Sequence, residues 1–393
     1  MDIVIIAEFC GDFSGQNNSR FYYLAKMLSG RGHRVELITS SFIHEAKRQR
    51  TGAFPEDIRI TGAYEPGYPR NICLKRFYSH GIWGRNVLKI LKKREKPDAV
   101  YCAVPSLTGP LRVAKYCGKH GIRFIADVQD LWPEAFRMVV HSPLLRRVLF
   151  SPFTLLADGI YRRADAVCAV SDSYCARALS VNRKGAKGTA VFLGTELAVF
   201  DRYAAENRPE KPEGELWLGY AGTLGTSYDL PAVFRAVRQA GIPNLKILVM
   251  GDGPLAEEFR KQAEGLRTEF TGRLPYREMC GRLAACDIVV NPIIGDSVAT
   301  IINKHADYAA CGRPVLNTQR SGEYRRLVEE YEMGFNCRSG DAADLADKLK
   351  RLCGDPALRE KMGRNARRCA EERFDRPLSY PKLCAAIEDG GKA

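Results

Sequence analysis

The chain has 393 residues, 45% hydrophobic and 27% charged, which is enough for two α/β domains and lacks the bias of a collagen-like, disordered or coiled-coil sequence. Its net charge of +14 is unevenly placed: residues 1–197 carry 30 Lys/Arg against 17 Asp/Glu, whereas residues 198–393 carry 30 against 29. No apolar run approaches the ~18 residues of a membrane span, and 13 scattered cysteines with no C-x-x-C pair read as buried reduced thiols, not as disulfides or a metal site.

The opening M-D-I-V-I-I-A suits a buried parallel strand over Ile3–Ala7 better than a secretory signal, so a cytoplasmic protein is expected. A helix over about Ser19–Gly30 and a strand over Arg34–Thr39 follow. The loop between them, E-F-C-G-D-F-S-G-Q-N-N-S-R, sets Gly11 and Gly15 above the strand's carboxyl end, where open α/β sheets bind ligands. It is not G-x-G-x-x-G, which argues against a dinucleotide. Gly15, Gln16 and Asn17 are candidates to contact a phosphate or a sugar, the alternative being a flexible turn. Residues 64–97 set Lys75, Arg76, Arg85, Lys89, Lys92 and Lys93 among Phe77, Tyr78, Ile82 and Trp83. Such a helix lies on an anionic membrane surface or is simply a solvated charged face. No nucleic-acid motif accompanies the charge.

Strands over 98–102 and 123–126 flank a helix over 106–120, and then comes D-V-Q-D-L-W-P-E (Asp127–Glu134). Acids directly after a strand are loop chemistry at the ligand end of a sheet. Asp130 and Glu134 are candidates to bind an acceptor hydroxyl, with Asp130 also able to take its proton; capping of the next helix is the alternative, and fits Glu134 better. The apolar, basic segment His141–Arg163, read as a helix covering the sheet with part of a membrane-facing surface as the alternative, and strands over 164–171 and 190–193 complete a first domain, 1–197. A polar, proline-containing linker is expected at 198–214.

The second domain, 215–376, restarts with L-W-L-G-Y-A-G-T-L-G, whose Gly222 and Thr223 offer backbone amides to a phosphate. Lys246–Met250 delivers G-D-G-P, with Gly251 and Gly253, and F-T-G-R-L-P carries Arg273 and Leu274. A strand over 288–290 and a polar loop holding Ser297 lead into T-I-I-N-K-H-A-D-Y-A-A-C, ended by Gly312. At 3.6 residues per turn Thr300, Lys304, Asp307 and Cys311 share one helix face. A cation and a carboxylate on one edge, beneath a helix N-terminus, suit a phosphorylated ligand; the alternative is a surface i,i+3 ion pair.

Two stretches, D-L-W-P-E (Asp130–Glu134) and N-K-H-A-D-Y-A-A-C-G-R-P-V (Asn303–Val315), resemble the retaining nucleotide-sugar glycosyltransferases of family 4, in particular a bacterial surface-polysaccharide branch. The resemblance covers nearly the whole chain. It implies an α/β architecture of two Rossmann-like domains facing across a cleft (GT-B), with 377–393 crossing back to the first. It also implies a nucleoside-diphosphate sugar donor: base near Arg273 and Leu274, ribose on Asp307, diphosphate on Lys304 and the amides around Ser297–Thr300, with Gly222, Thr223, Gly251 and Gly253 in the donor site. The family has two glutamates eight positions apart; Asp307 takes the second place, and Ala299 stands at the first, leaving Asp296 or backbone to meet the sugar. Tyr228 and Asp229 occupy the region of the family's Arg and Lys, so the diphosphate charge falls to Lys304.

The implied reaction is hexosyl or N-acetylhexosaminyl transfer with retention, UDP-sugar favoured, to a lipid-diphosphate-linked saccharide in surface-polysaccharide synthesis. The protein would then be peripheral on the inner face of the membrane. Lys304 would stabilise the leaving diphosphate and Asp130 would act on or orient the acceptor; with no Asp-x-Asp pair, no metal is expected. Two alternatives are a sugar-nucleotide 2-epimerase of the same fold, which needs carboxylates and His converging on the sugar, and a non-catalytic GT-B binding protein.

Overall fold

The computed structural model describes residues 1–11, 13, 19–71, 73–104, 106–134, 143–294 and 300–389, with backbone alone over 143–148. The chain divides into two compact units, Met1–Phe192 together with the segment from Tyr380, and Leu193–Ser379.

Unit 1 is built on seven strands: β1 (Asp2–Ala7), β2 (Arg34–Ser40), β3 (Arg59–Ala63), β4 (Ala99–Val104), β5 (Arg123–Val128), β6 (Ala166–Ala169) and β7 (Lys187–Ala190). They pair in parallel in the order β3-β2-β1-β4-β5-β6-β7. β1 is buried along its whole length, so its sequence is a continuous apolar run and not an alternating one. Helix Arg20–Gly30 lays Leu24, Ala25 and Leu28 on that sheet. The same core takes Leu383, Cys384 and Ile387 from helix Pro381–Glu388, each with no exposed surface. At ~1.5–3 kcal/mol for a fully buried aliphatic side chain, this apolar edge is reason enough for the chain to return.

Unit 2 has six parallel strands, β8 (Leu216–Ala221), β9 (Leu245–Met250), β10 (Thr268–Gly272), β11 (Ile288–Asn291), β12 (Val315–Asn317) and β13 (Gly334–Asn336), ordered β10-β9-β8-β11-β12-β13. In both sheets the order reverses beside the first strand, at β1/β4 and at β8/β11. Ligands of open α/β sheets bind outside the carboxyl ends of the strands at such switch points. Helix Leu230–Ala240 starts where Asp229 accepts from the Ala232 amide (3.0 Å) and stops at Gly241, whose φ of +61° suits a left-handed cap.

The linker expected at 198–214 is different in the structure. Helix Leu197–Glu206 occupies its first half, with Leu197, Phe200 and Tyr203 buried. Three apolar side chains three residues apart form a helical stripe, and this outweighs the polar composition around them. The change of unit comes earlier, between Phe192 and Leu193. All 13 cysteines are free thiols, 11 of them buried.

Candidate functional site

At the β8/β11 switch point the described residues form a box around one amine. β8 ends in Tyr220 and Ala221, with Gly222 next, and β11 leads to the site helix, Asn303–Ala310. Lys304, in its first turn, points its Nζ at the faces of Tyr220 and Tyr228, 4.4 Å and 3.8 Å from the ring centroids. Segment 227–229 is fixed there by Asp229 N donating to Pro292 O (2.7 Å) and Ile294 N to Ser227 O (3.0 Å). A Cβ on Gly222, at φ +149°, would stand 2.7 Å from Nζ, so glycine is what leaves the amine its place. Nζ is buried and has no hydrogen-bond partner among the described residues; neither has the buried Thr300 Oγ1. Burial pushes the Lys304 amine well below the usual lysine range. Two aromatic faces return roughly 0.5–2 kcal/mol each to an ammonium, less than the several kcal/mol lost on burying an unpaired ion. Desolvation wins, since no carboxylate among the described residues pairs with the amine.

Asp307, one turn on, is turned elsewhere. Its Oδ1 accepts from the Tyr276 hydroxyl (2.7 Å), which lies 2.7 Å from Thr195 Oγ1. Burial pushes its carboxyl up to about 6, opposed by Tyr276 and by the charge of Arg376. Asp307 and the Nζ of the half-buried Lys304 are thus both out of solvent, and the surface ion-pair alternative does not describe them.

A buried amide ladder crosses the strand ends beneath the helix. Asn291 Nδ2 donates to Asn317 Oδ1 (2.9 Å) and Gln319 Oε1 (3.1 Å), Asn317 Nδ2 to Asn336 Oδ1 (2.8 Å), and Gln319 Nε2 to Thr300 O (2.8 Å). His305 stacks on Tyr324 at 3.5 Å and accepts from the Ile302 amide through Nδ1 (3.3 Å). These contacts fix the entry to the helix, and with it the positions of Thr300 and Lys304.

The remaining unit 2 candidates are more scattered. Gly251 and Gly253 pack backbone against backbone: a Cβ would come within 1.8 Å of Gly222 O and 2.3 Å of Leu224 O, respectively. Thr223 is exposed, with its carbonyl accepting from Tyr220 Oη (2.7 Å); Arg273 is exposed and Leu274 half-buried. Ser297, Asp296 and Ala299 lie outside the described residues, as do Gly15, Gln16 and Asn17 of unit 1.

In unit 1, Asp127 is the partner of a fully buried Arg20, with Nε–Oδ2 at 3.1 Å and Nη2–Oδ1 at 3.2 Å. Asp130 is half-buried and burial raises its carboxyl. Glu134 is held by Arg177 Nε (2.7 Å), whose Nη2 donates to Asp158 Oδ1 (2.8 Å). Trp132 lies under Arg76 (4.6 Å) and against His80 (6.1 Å). Behind them are Glu8, after β1, and Glu65, after β3. Neither Glu8 oxygen has a hydrogen-bond partner among the described residues, and Oε1 is 3.5 Å from His80 Nε2. Burial and the nearby Glu65 raise Glu8 well above the carboxylate range; burial and Arg76 lower His80 to about 3. No group of three or more His, Cys, Asp and Glu side chains among the described residues is placed to hold a metal ion.

Residues 18–187 match the family described as Glycosyltransferase Family 4, and residues 217–355 match Glycosyl transferases group 1. Both stretches match glycosyltransferase models, the first of them family 4, and together they take in most of the chain. Sulfoquinovosyl transferase SQD2 of Arabidopsis thaliana is 27% identical over 312 residues, 74% of this chain and 56% of that protein, so the chain spans little more than half of this relative's length. Among solved structures, sucrose-phosphate synthase from Thermosynechococcus elongatus superposes with a TM-score of 0.76 at 17% identity over 99% of both chains. Anabaena HepE in complex with UDP gives 0.70 at 16%, covering 99% of this chain and 100% of that one. The fold is that of the GT-B glycosyltransferases.

Tyr220, Tyr276 and Glu8 escaped the sequence reading. Tyr228 was noticed only as standing where the family places a cation. A tyrosine at the end of a strand carries no signal until the topology brings a lysine from a different strand–helix junction against it. Glu8 had one: an acid set directly after an uninterrupted apolar strand.

Proposed function

We propose that this glycosyltransferase moves a hexosyl or N-acetylhexosaminyl group from a nucleoside-diphosphate sugar to a saccharide acceptor, with the donor on unit 2. The observation that carries the reading is Lys304: a buried amine without a hydrogen-bond partner among the described residues, as is the Thr300 hydroxyl, at the ligand end of the sheet. A diphosphate supplies the missing anion. Lys304 and the amides at the head of the site helix then stabilise charge on the leaving diphosphate, in a reaction that runs with retention and needs no metal. Asp307 takes the ribose once Tyr276 yields it, and the base lies toward Arg273 and Leu274. UDP is the favoured carrier, in keeping with the UDP held by HepE.

The acceptor belongs to unit 1, near Asp130 and Glu134. A lipid-diphosphate-linked saccharide in surface-polysaccharide synthesis fits the positive charge of that half of the chain and a protein positioned peripherally on the inner membrane face. No described helix is long and apolar enough to cross a membrane.

A panel of nucleotide sugars, assayed for hydrolysis and for transfer to lipid-linked saccharides, tests this. Lys304→Ala is expected to lower kcat/KM by about 100-fold or more, the usual scale for loss of a group stabilising transition-state charge; Asp307→Ala should chiefly raise KM. Epimerised donor in the absence of acceptor would favour the 2-epimerase, to which the Glu8–His80 contact would lend an acid and an imidazole. Binding without turnover on any acceptor would favour a non-catalytic protein.

A further inference from the structure

The box around Lys304 contains more than a phosphate-binding lysine requires. An ammonium meant only to attract phosphate is better left hydrated or paired; this one is sealed between two tyrosine rings. β8 presents Tyr220 to it, and segment 227–229 presents Tyr228. On its own helix the neighbouring titratable groups face other ways: His305 toward Asn291 and Tyr324, Asp307 toward Tyr276, and Tyr308 toward the Ala221 amide, at 2.9 Å. Among the described residues no acid accompanies the amine, and burial lowers it from the usual lysine range.

We propose that Tyr220 and Tyr228 are donor-site residues that keep Lys304 as an uncharged amine until a nucleoside diphosphate enters, so that binding draws one proton from solvent onto Nζ. This rests on the donor reading above. The step is a simple protonation, in which the amine lone pair takes a solvent proton as the diphosphate arrives and no other bond changes. The consequence is directional: between the amine's free and bound pKa values, affinity for a diphosphate falls about tenfold for each unit rise in pH. The arrangement favours ligands that bring a concentrated negative charge, because a neutral sugar or nucleoside offers nothing to hold the proton.

Lysine-selective 13Cε labelling of the full chain tests it, with UDP, GDP and ADP as probes at about pH 8, where Asp307 and the terminal phosphate (pKa ~6) are already ionised. The Lys304 resonance is the one missing from the spectrum of Lys304→Met, or of Lys304→Arg should the first not fold. It is expected at the free-amine position without ligand and at the ammonium position with nucleotide. Calorimetry in buffers of differing ionisation enthalpy should count close to one proton taken up. Tyr228→Ser, which wets the box, should leave Lys304 charged from the start and abolish the uptake. An ammonium signal in the ligand-free wild type, or nucleotide binding with no proton uptake, overturns the inference and leaves the donor reading standing. If none of the three nucleotides binds at millimolar concentration, the donor reading itself falls.

Discussion

Asp307 and Lys304 sit one turn apart, and burial moves both toward neutrality, the acid up to about 6 and the amine well below its usual range. For Asp307 the folded pKa exceeds the ordinary value of 3.8, so the folded chain binds the proton more tightly than the unfolded one. Stability is therefore fully present below about pH 4 and declines as pH rises toward 6, by at most roughly 3 kcal/mol for a shift of about two units. Asp307→Asn keeps the shape and an acceptor for Tyr276 while removing the charge. Its melting temperature should match wild type near pH 4 and exceed it by several degrees at pH 7.5, with donor binding weakened; equal melting temperatures at both values would show that the acid is not held this way. Lys304 and Asp307 were legible in the sequence because a cation and an acid at i,i+3 beside small apolar residues define a helix edge. Their partners were not, since Tyr220, Tyr228, Tyr276 and Thr195 come from four other segments.

Helix Leu74–Lys93 shows what the chain-order reading captured and what burial had to settle. It contains no acidic residue, and its buried side, His80, Trp83, Gly84, Val87 and Leu91, follows the helical period. The opposite stripe carries Leu74, 86% exposed, and Tyr78, 62% exposed, near one end, then Arg85, Lys89 and Lys92. Phe77 meets Phe153 of helix Pro143–Tyr161 at 5.1 Å, and on that helix Leu149 and Leu155 are also exposed. Apolar tips beside a basic stripe match the interface of an anionic bilayer. Sedimentation with phosphatidylglycerol vesicles should bring the protein down, phosphatidylcholine vesicles should not, and Lys89→Glu with Lys92→Glu should weaken binding roughly tenfold or more, at about 1 kcal/mol per basic residue. Equal sedimentation with both lipids would assign the stripe to solvent. The site helix was legible in place but not in length: it starts at Asn303, because the 300–302 segment is tied by Gln319 and His305 in a non-helical entry. That ladder of Asn and Gln residues reads as ordinary polar sequence until three parallel strands align it.

For the whole chain, alternating strand and helix patterns were enough to give two Rossmann-like units, because parallel strands buried on both faces advertise themselves as apolar runs such as I-V-I-I-A. The boundary was less legible. Charge and proline marked 198–214, yet Leu197, Phe200 and Tyr203 draw the start of that stretch into unit 2. Strand order supplied what sequence could not, by identifying which loops lie at each switch point. It is on the order β9-β8-β11, with Gly222 following one strand and the site helix the next, that the proposal of a nucleotide on unit 2 rests. A crystal of the full chain soaked with UDP tests that assignment most directly. The account predicts a phosphate oxygen within hydrogen-bond distance, about 2.7–3.2 Å, of Lys304 Nζ, with the ribose on Asp307 in place of the Tyr276 hydroxyl. A diphosphate bound elsewhere, with the Tyr220–Tyr228 box still closed on an unpartnered lysine, would contradict it.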